Sequence, residues 1–232
     1  MMKGRATHIT DEIFQIGGGT LTSFEDAAVY LLNFGGHAAV VDSGCGHTIE
    51  RLFENIKSCG VDLKNIVYLL LTHCHYDHTG GAAALKQATG CRIVAHDLDA
   101  GFIETGDNIV TAASWYNATL TPAKIDRRLT LTREHIVLGD RLIEAIHIPG
   151  HSPGSVAYLT ESQGLKVLFG QDVHGPLAES LLSNEKDYFQ SLELLASLEA
   201  DILCEGHYGV YMGKEEVERF IRSFLPSEDK NA

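Results

Sequence analysis

Three histidines and one aspartate lie within six residues of each other in the segment Thr72-His73-Cys74-His75-Tyr76-Asp77-His78-Thr79-Gly80-Gly81. Imidazole and carboxylate groups are ligands that zinc, iron and manganese share. In an extended chain, side chains two residues apart point to the same side. We therefore expect His73 and His75 to bind one metal ion. A bend after Tyr76 would bring Asp77 and His78 to a second ion.

Three further candidate ligands follow apolar segments in the second half of the chain. His151 lies in a Pro-Gly-His-Ser-Pro-Gly turn after the strand-like segment 142–148. Asp172 follows the apolar segment 167–171, and His207 follows the segment 202–206. Proteins with α/β sheets tend to place their chemistry on loops beyond strand ends. These three residues are therefore predicted to join the first cluster.

Together these residues resemble the motifs of the metallo-β-lactamase superfamily. The HxHxDH motif is present, followed by Pro-Gly-His-Ser-Pro-Gly-Ser, Gly-Gln-Asp and Glu-Gly-His. The likeness runs from about Glu12 to the last predicted helix. It includes Asp42, which matches a family position that supports the ligand loop. The resemblance implies an α/β fold of four layers, an αββα sandwich.

The resemblance also implies a site for two divalent metal ions, with zinc as the default and iron or manganese as alternatives. Seven positions match the family's ligand positions. The first ion would be held by His73, His75 and His151, the second by Asp77, His78 and His207, and Asp172 would bridge the two.

A site of this kind implies a hydrolase. Two cations lower the pKa of a water molecule from about 16 to about 7, so that hydroxide can attack a carbonyl carbon at neutral pH. Asp77 is expected to orient this nucleophile, and His174 is a candidate acid for the leaving group. A bridging residue such as Asp172 is unusual in β-lactamases of the family. The favoured function is a glyoxalase II-like thioesterase acting on a small-molecule thioester or ester.

Two alternatives from the same superfamily stay open, and the first is a lactonase. Lactonases often carry a tyrosine three residues after the bridging aspartate, where this chain has Gly175. Glyoxalase II enzymes carry a C-terminal region that binds glutathione, whereas only a short segment follows His207 here. A redox enzyme that resembles the mono-iron sulfur dioxygenases is the second alternative. A metal-binding module without turnover is disfavoured because all seven ligand positions are filled.

Length and composition predict one cytoplasmic domain. The 232 residues suit a single domain, residues 1–232, with a core at about 12–225. No apolar segment approaches the length of a membrane span. The net charge of −13 and the lack of a basic stripe disfavour nucleic-acid binding. The basic stretch 124–141 could meet a substrate carboxylate, but such runs are more often solvated faces. The sequence does not give the oligomeric state.

Hydrophobic patterning predicts the elements that position these residues. Strands are expected at 13–16, 28–34, 38–41, 66–71, 92–95, 142–148, 167–169 and 202–204. Helices are expected from 49 to about 60, at 82–88, from about 183 to 199, and near 217–224. Glycines 35 and 36 predict a hairpin turn.

The segment 96–124 fits this alternation least well. It contains the only tryptophan, Trp115, followed by Tyr116. We predict that this segment is a substrate-facing lid and that these two aromatic residues bind substrate. The alternative is that they anchor a helix on the core, since aromatic side chains also dominate protein interiors.

Overall fold

Two β-sheets pack face to face in the computed structural model, which describes residues 6–226. The first sheet has its strands hydrogen-bonded in chain order: β1 Thr7–His8, β2 Ile13–Gly17, β3 Val29–Phe34, β4 His37–Val41, β5 Ile66–Leu70, β6 Arg92–His96 and β7 Arg127–Leu129. The second has the order β13-β12-β11-β10-β9-β8, with β8 Arg133–Leu138, β9 Arg141–His147, β10 Val156–Ser162, β11 Leu165–Gln171, β12 Ile202–Glu205 and β13 Val210–Met212.

Strand direction changes within each sheet. Strands β1 to β4 are antiparallel, and Gly35 and Gly36 form the turn between β3 and β4 with φ of 59° and 81°. Strands β4 to β7 then run parallel, so the chain must cross over between them through helices. In the second sheet only β11 and β12 are parallel. The hairpin turn predicted at glycines 35 and 36 is confirmed by the antiparallel pairing of β3 and β4.

Helices cover the outer face of both sheets. They are α1 Ile49–Ser58, α2 Tyr76–Thr79, α3 Ala82–Thr89, α4 Asp97–Thr105, α5 Glu185–Ser197 and α6 Lys214–Arg222. Helices α1, α3 and α4 share an apolar cluster with the first sheet, and α5 and α6 share another with the second. A third cluster lies between the sheets, where the rings of Tyr30 and Phe169 meet edge to face at 5.4 Å. The predicted αββα sandwich is confirmed.

One helix differs from the sequence-based expectation. No helix is predicted at residues 97–105, which belong to the segment 96–124, but these residues form α4. The His96 ring accepts a hydrogen bond from the Leu98 amide at the start of the helix, and Gly106 ends it with φ of 68°. Leu98 is apolar but half exposed, so the apolar residues of this helix do not mark one buried face. This mixed pattern hides the helix from periodicity analysis.

Strands β4, β5, β11 and β12 deliver their following loops to one edge of the sandwich. Two backbone hydrogen bonds of 2.7 Å connect the two sheets here, from the Val156 amide at the start of β10 to the Thr72 carbonyl and from the Ala28 amide to the Gly206 carbonyl. The edge is therefore a cross-linked platform. Among the residues that the structure describes, no helix has the length and apolar character needed to cross a membrane.

Candidate metal centre

The seven predicted ligands converge at this edge. They form two groups whose ligand atoms lie within 4.8 Å of one another. The first group is His73, His75, His151 and Asp172, and the second is Asp77, His78 and His207. Helix α2 is the single turn that follows His75, and it carries Asp77 and His78 away from the first group. The bend expected after Tyr76 is this helical turn.

Asp172 lies between the two groups. Its Oδ2 atom is 3.3 Å from His151 Nε2 and 3.9 Å from His73 Nε2. Its Oδ1 atom is 3.2 Å from His78 Nε2 and 3.4 Å from His207 Nε2. One carboxylate oxygen thus faces each group. This is the arrangement that a bridging ligand requires.

Hydrogen bonds behind the rings decide which imidazole nitrogens face the centre. His78 Nδ1 lies 2.7 Å from Asp42 Oδ2, and His151 Nδ1 lies 2.9 Å from the Pro176 carbonyl oxygen. A ring whose Nδ1–H is donated in this way presents Nε2 as a lone-pair donor. Both rings therefore turn Nε2 toward the centre.

The buried atoms of the centre fit a metal ion. The Nε2 atoms of His73, His75, His78 and His151 are buried and have no hydrogen-bond partner, and neither does Asp172 Oδ1. Buried polar atoms are almost always paired, because an unpaired one costs about 1–3 kcal/mol. Unpaired lone pairs that converge within each group match the needs of divalent cations. The residues present therefore fit the implied metal ions.

The electrostatics of the two groups differ. Burial and the neighbouring imidazoles lower the pKa of His75 to about 3 and hold that of His73 well below its ordinary value. These rings are neutral at pH 7, as metal ligation requires. Burial, the largest single effect, lowers the pKa of His207, but Asp172 and Asp77 together outweigh it and raise that pKa to about 10. A cation must therefore displace a proton from His207, so binding at the second group strengthens as the pH rises.

Asp42 lies where the resemblance placed it. It is fully buried, with φ of 60°, at the end of β4. Besides His78, it accepts hydrogen bonds from the Thr72 amide at 2.9 Å and the Thr72 hydroxyl at 2.8 Å, and the Gln171 amide group also donates to it. Burial raises the pKa of Asp42, although His78 and Thr72 oppose this. The residue connects the loops that carry the two groups.

A second buried aspartate, Asp99, carries no signal that the sequence analysis could use. It lies in the first turn of α4 and is fully buried. It accepts hydrogen bonds from the Cys74 amide at 2.9 Å, the Ser152 hydroxyl at 2.6 Å and the Gly154 amide at 2.7 Å. Asp99 therefore ties the loop of His73 and His75 to the loop of His151. Because the hydrophobic pattern does not predict α4, the sequence does not show that Asp99 lies in the first turn of a helix.

Glu205 organises the loop of His207, a role that the sequence analysis does not assign. Its buried carboxylate accepts hydrogen bonds through Oε2 from the amides of His207 and Tyr208, at 2.6 and 2.8 Å. Its Oε1 atom lies 2.8 Å from His174 Nδ1. This contact orients His174, which lies beside His207 with ring centroids 5.1 Å apart. The sequence signal that could identify Glu205 is its position at the end of an apolar strand, because a carboxylate buried there needs hydrogen-bond partners.

The two aromatic residues of the predicted lid lie in different environments. Tyr116 is partly buried and lies close to the Asp77 carboxylate. Burial, reinforced by Asp77, holds the pKa of Tyr116 well above its ordinary value, so the hydroxyl stays protonated. Trp115 is 56% exposed. Trp115 therefore does not anchor the segment on the core, whereas Tyr116 packs against a small buried cluster, and the substrate-facing lid stays a prediction.

Comparison with known families gives one match that spans most of the chain. The family model described as the metallo-beta-lactamase superfamily matches residues 23–207. The matched segment contains both ligand groups.

Two curated relatives are similar over most of this chain. The hydroxyacylglutathione hydrolase of Methylobacillus flagellatus is 28% identical over 217 residues, which cover 90% of this chain and 70% of that protein. The acyl-coenzyme A thioesterase MBLAC2 of Homo sapiens is 26% identical over 245 residues, covering 93% of this chain and 84% of that protein. Both relatives are named for thioester hydrolysis.

Solved structures share the fold. A subclass B3 metallo-beta-lactamase of Bradyrhizobium japonicum superposes with a TM-score of 0.76 at 22% identity, covering 96% of this chain and 93% of that one. At this identity the likeness concerns the fold alone.

Proposed function

The chain belongs to the metallo-beta-lactamase superfamily, and from this membership we propose that it is a dinuclear metal-dependent hydrolase that cleaves a thioester or a related ester. The observation that carries the proposal is the position of Asp172, with one oxygen toward each ligand group. The names of the two curated relatives support thioesters as the substrate class. Zinc is the proposed metal.

The proposed ligands are those of the two groups. His73, His75 and His151 would hold one cation, Asp77, His78 and His207 the other, and Asp172 would contact both. Two bound cations would act as Lewis acids toward the substrate carbonyl and make water nucleophilic at neutral pH. Among the protein's own groups, Asp77 is proposed to orient the nucleophile, because its Oδ2 atom lies 3.2 Å from His207 Nε2 and its carboxylate is close to Tyr116.

His174 is proposed to act at the leaving group. The contact with Glu205 engages Nδ1 and leaves Nε2 as the atom available to a substrate. A thiolate departs unaided at neutral pH, whereas an alkoxide must receive a proton. His174 is therefore expected to matter more for oxygen esters than for thioesters.

The proposal is tested by metal analysis together with a substrate panel. Protein purified without added metal is expected to contain two divalent ions per chain, and the zinc-loaded protein should hydrolyse thioesters. Asp172→Ala should lower both metal content and turnover, whereas Asp62→Ala, at an exposed position, should change neither. One iron per chain with oxygen uptake on a persulfide would instead support the dioxygenase alternative. Unchanged turnover by Asp172→Ala would contradict the proposal.

A further inference from the structure

A third set of possible ligands shares members with the metal centre. The ligand atoms of Asp172, His174 and His207 lie within 4.8 Å of one another, as do those within each of the two groups described above. We call these three residues the third group. It offers two imidazoles and one carboxylate, which are the same kinds of ligand, in the same numbers, as the second group offers. A divalent cation that suits the second group therefore also suits the third.

One buried carboxylate positions both imidazoles of the third group. Glu205 is fully buried, and its Oε1 atom lies 2.8 Å from His174 Nδ1, while its Oε2 atom accepts a hydrogen bond from the His207 amide at 2.6 Å. A carboxylate on one ring nitrogen is typical of histidines that bind metal, because it fixes the ring and leaves the other nitrogen free to coordinate. Asp42 has this relation to His78 in the second group. His174 therefore has the same support as a proposed ligand of the second ion.

His207 is common to the second and third groups. Its ring meets the His174 ring edge to face with centroids 5.1 Å apart, and it meets the His78 ring in the same way at 5.5 Å. Its Nε2 atom lies 3.2 Å from Asp77 Oδ2 and 3.4 Å from Asp172 Oδ1. One ring nitrogen thus faces a carboxylate of each group. Because one lone pair binds one cation, the two groups are alternatives for a single ion.

The two groups differ in burial and in the number of protein ligands. The side chains of His78 and Asp77 are 0% and 8% exposed. Those of His174 and His207 are 15% and 31% exposed, so the third group is the more accessible to solvent. The second group also has the bridging Asp172 as a further ligand. We therefore expect the second group to be preferred when all of its ligands are present.

From these observations we propose that the second metal ion has an alternative site formed by Asp172, His174 and His207. The inference rests on the proposed dinuclear function and adds one residue to its ligand set. Asp172 and His207 serve both sites, and His174 takes the place of Asp77 and His78 in the alternative one. The Nε2 atom of His174 cannot hold an ion and serve a leaving group at the same time. The alternative site therefore belongs to the protein without substrate.

The test measures the zinc content per chain and the affinity for the second zinc ion, by competition with a chromogenic chelator. Asp77→Ala removes a ligand that belongs only to the second group, so this variant should still bind two zinc ions. Adding His174→Phe to Asp77→Ala should weaken binding of the second ion about tenfold or more. In the protein that keeps Asp77, His174→Phe should change this affinity less than about twofold.

A matched control replaces a histidine outside these groups. His135 is exposed on β8 and belongs to none of the three ligand groups found within residues 6–226. Adding His135→Phe to Asp77→Ala should leave both zinc content and affinity as they are in Asp77→Ala. Unchanged affinity for the first zinc ion shows in each variant that the ligand loops are folded. Asp77→Asn, which keeps the size of the side chain, gives the same comparison with less disturbance of the helical turn.

A spectroscopic measurement is independent of turnover. Cobalt(II) in place of zinc has a visible absorption that depends on the side chains that bind it. The absorption of the second cobalt ion in Asp77→Ala should therefore change when His174 is also replaced, and should not change when His135 is.

The outcomes separate the inference from the proposed function. An Asp77→Ala variant that binds only one zinc ion would overturn the inference alone. Equal affinity for the second zinc ion in Asp77→Ala with and without His174→Phe would do the same. A wild-type protein that binds no second ion would overturn the dinuclear function and the inference with it.

Discussion

Replacing Asp99 with alanine is expected to loosen two ligand-bearing loops at once. The carboxylate accepts three buried hydrogen bonds, from Cys74, Ser152 and Gly154. Cys74 lies between His73 and His75, and Ser152 directly follows His151. Removal of Asp99 therefore affects all three histidines proposed for the first metal ion, although it touches none of them.

The magnitude follows from the three hydrogen bonds that this substitution removes. A buried donor left without a partner costs about 1–3 kcal/mol, so three such donors set an upper limit of about 9 kcal/mol. Water can enter the space left by the carboxylate, and burial of Asp99, which raises its pKa, is itself unfavourable in the native protein. We therefore expect a net loss of about 3 kcal/mol in the free energy of unfolding. Loss of support behind metal ligands typically lowers metal affinity by about 10–100-fold.

Two assays measure these effects. Urea unfolding in the presence of a chelator gives the stability, and competition with a chromogenic chelator gives the zinc affinity. Asp97→Ala is the matched control, since Asp97 is in the same helical turn but forms an exposed ion pair with Arg128. Such pairs contribute about 0–1 kcal/mol. If Asp99→Ala lost no more stability than the control and bound zinc with unchanged affinity, the positioning role assigned to Asp99 would be refuted.

Four further substitutions test other parts of the structure. Asp42→Ala removes the partner of His78 Nδ1 and should lower zinc affinity at the second group about 10–100-fold in the same competition assay, with the first group less affected. Gly150→Ala should lower the free energy of unfolding by more than about 3 kcal/mol in urea, because φ is 132° and a Cβ would lie 2.2 Å from the Tyr188 amide nitrogen. Gly164→Ala, with φ of 77° in open space, should cost only about 1 kcal/mol. Burial, with His147 stacked on the ring, lowers the pKa of His96 to about 4. The contribution of His96 to the free energy of unfolding is therefore complete above about pH 6.5 and is lost as the pH falls toward 4. In urea unfolding at a series of pH values, His96→Phe should make this fall less steep, and an unchanged pH profile would contradict the prediction.

Much of the fold was predictable because its elements have strong local signals. The apolar run of β5 and the Gly-Gly turn before β4 specify strand and hairpin without reference to the rest of the chain. The end of α3 at Gly90, with φ of 73°, was equally local. Helix α4 escaped prediction because its cap is an imidazole and one of its apolar side chains, Leu98, points to solvent.

Pairs of residues far apart in sequence could not be predicted. Asp99 contacts Ser152 across 53 positions, and Glu205 contacts His174 across 31. Neither contact has a spacing that periodicity or a turn signal can reveal. The exposure of Trp115 also depends on which surfaces the folded chain leaves uncovered, so the sequence pattern alone could not show whether this residue is exposed or part of the core.

The sequence by itself determined the types and order of the candidate ligands, because an HxHxDH segment brings four of them together within one loop. Only the tertiary structure decided that Asp172 faces both groups and that Asp42 and Asp99 join the loops behind them. The physical reason is distance along the chain. Local spacing constrains a side chain only within a turn or strand, whereas the relation between loops is established when two sheets pack against each other and bury their shared core.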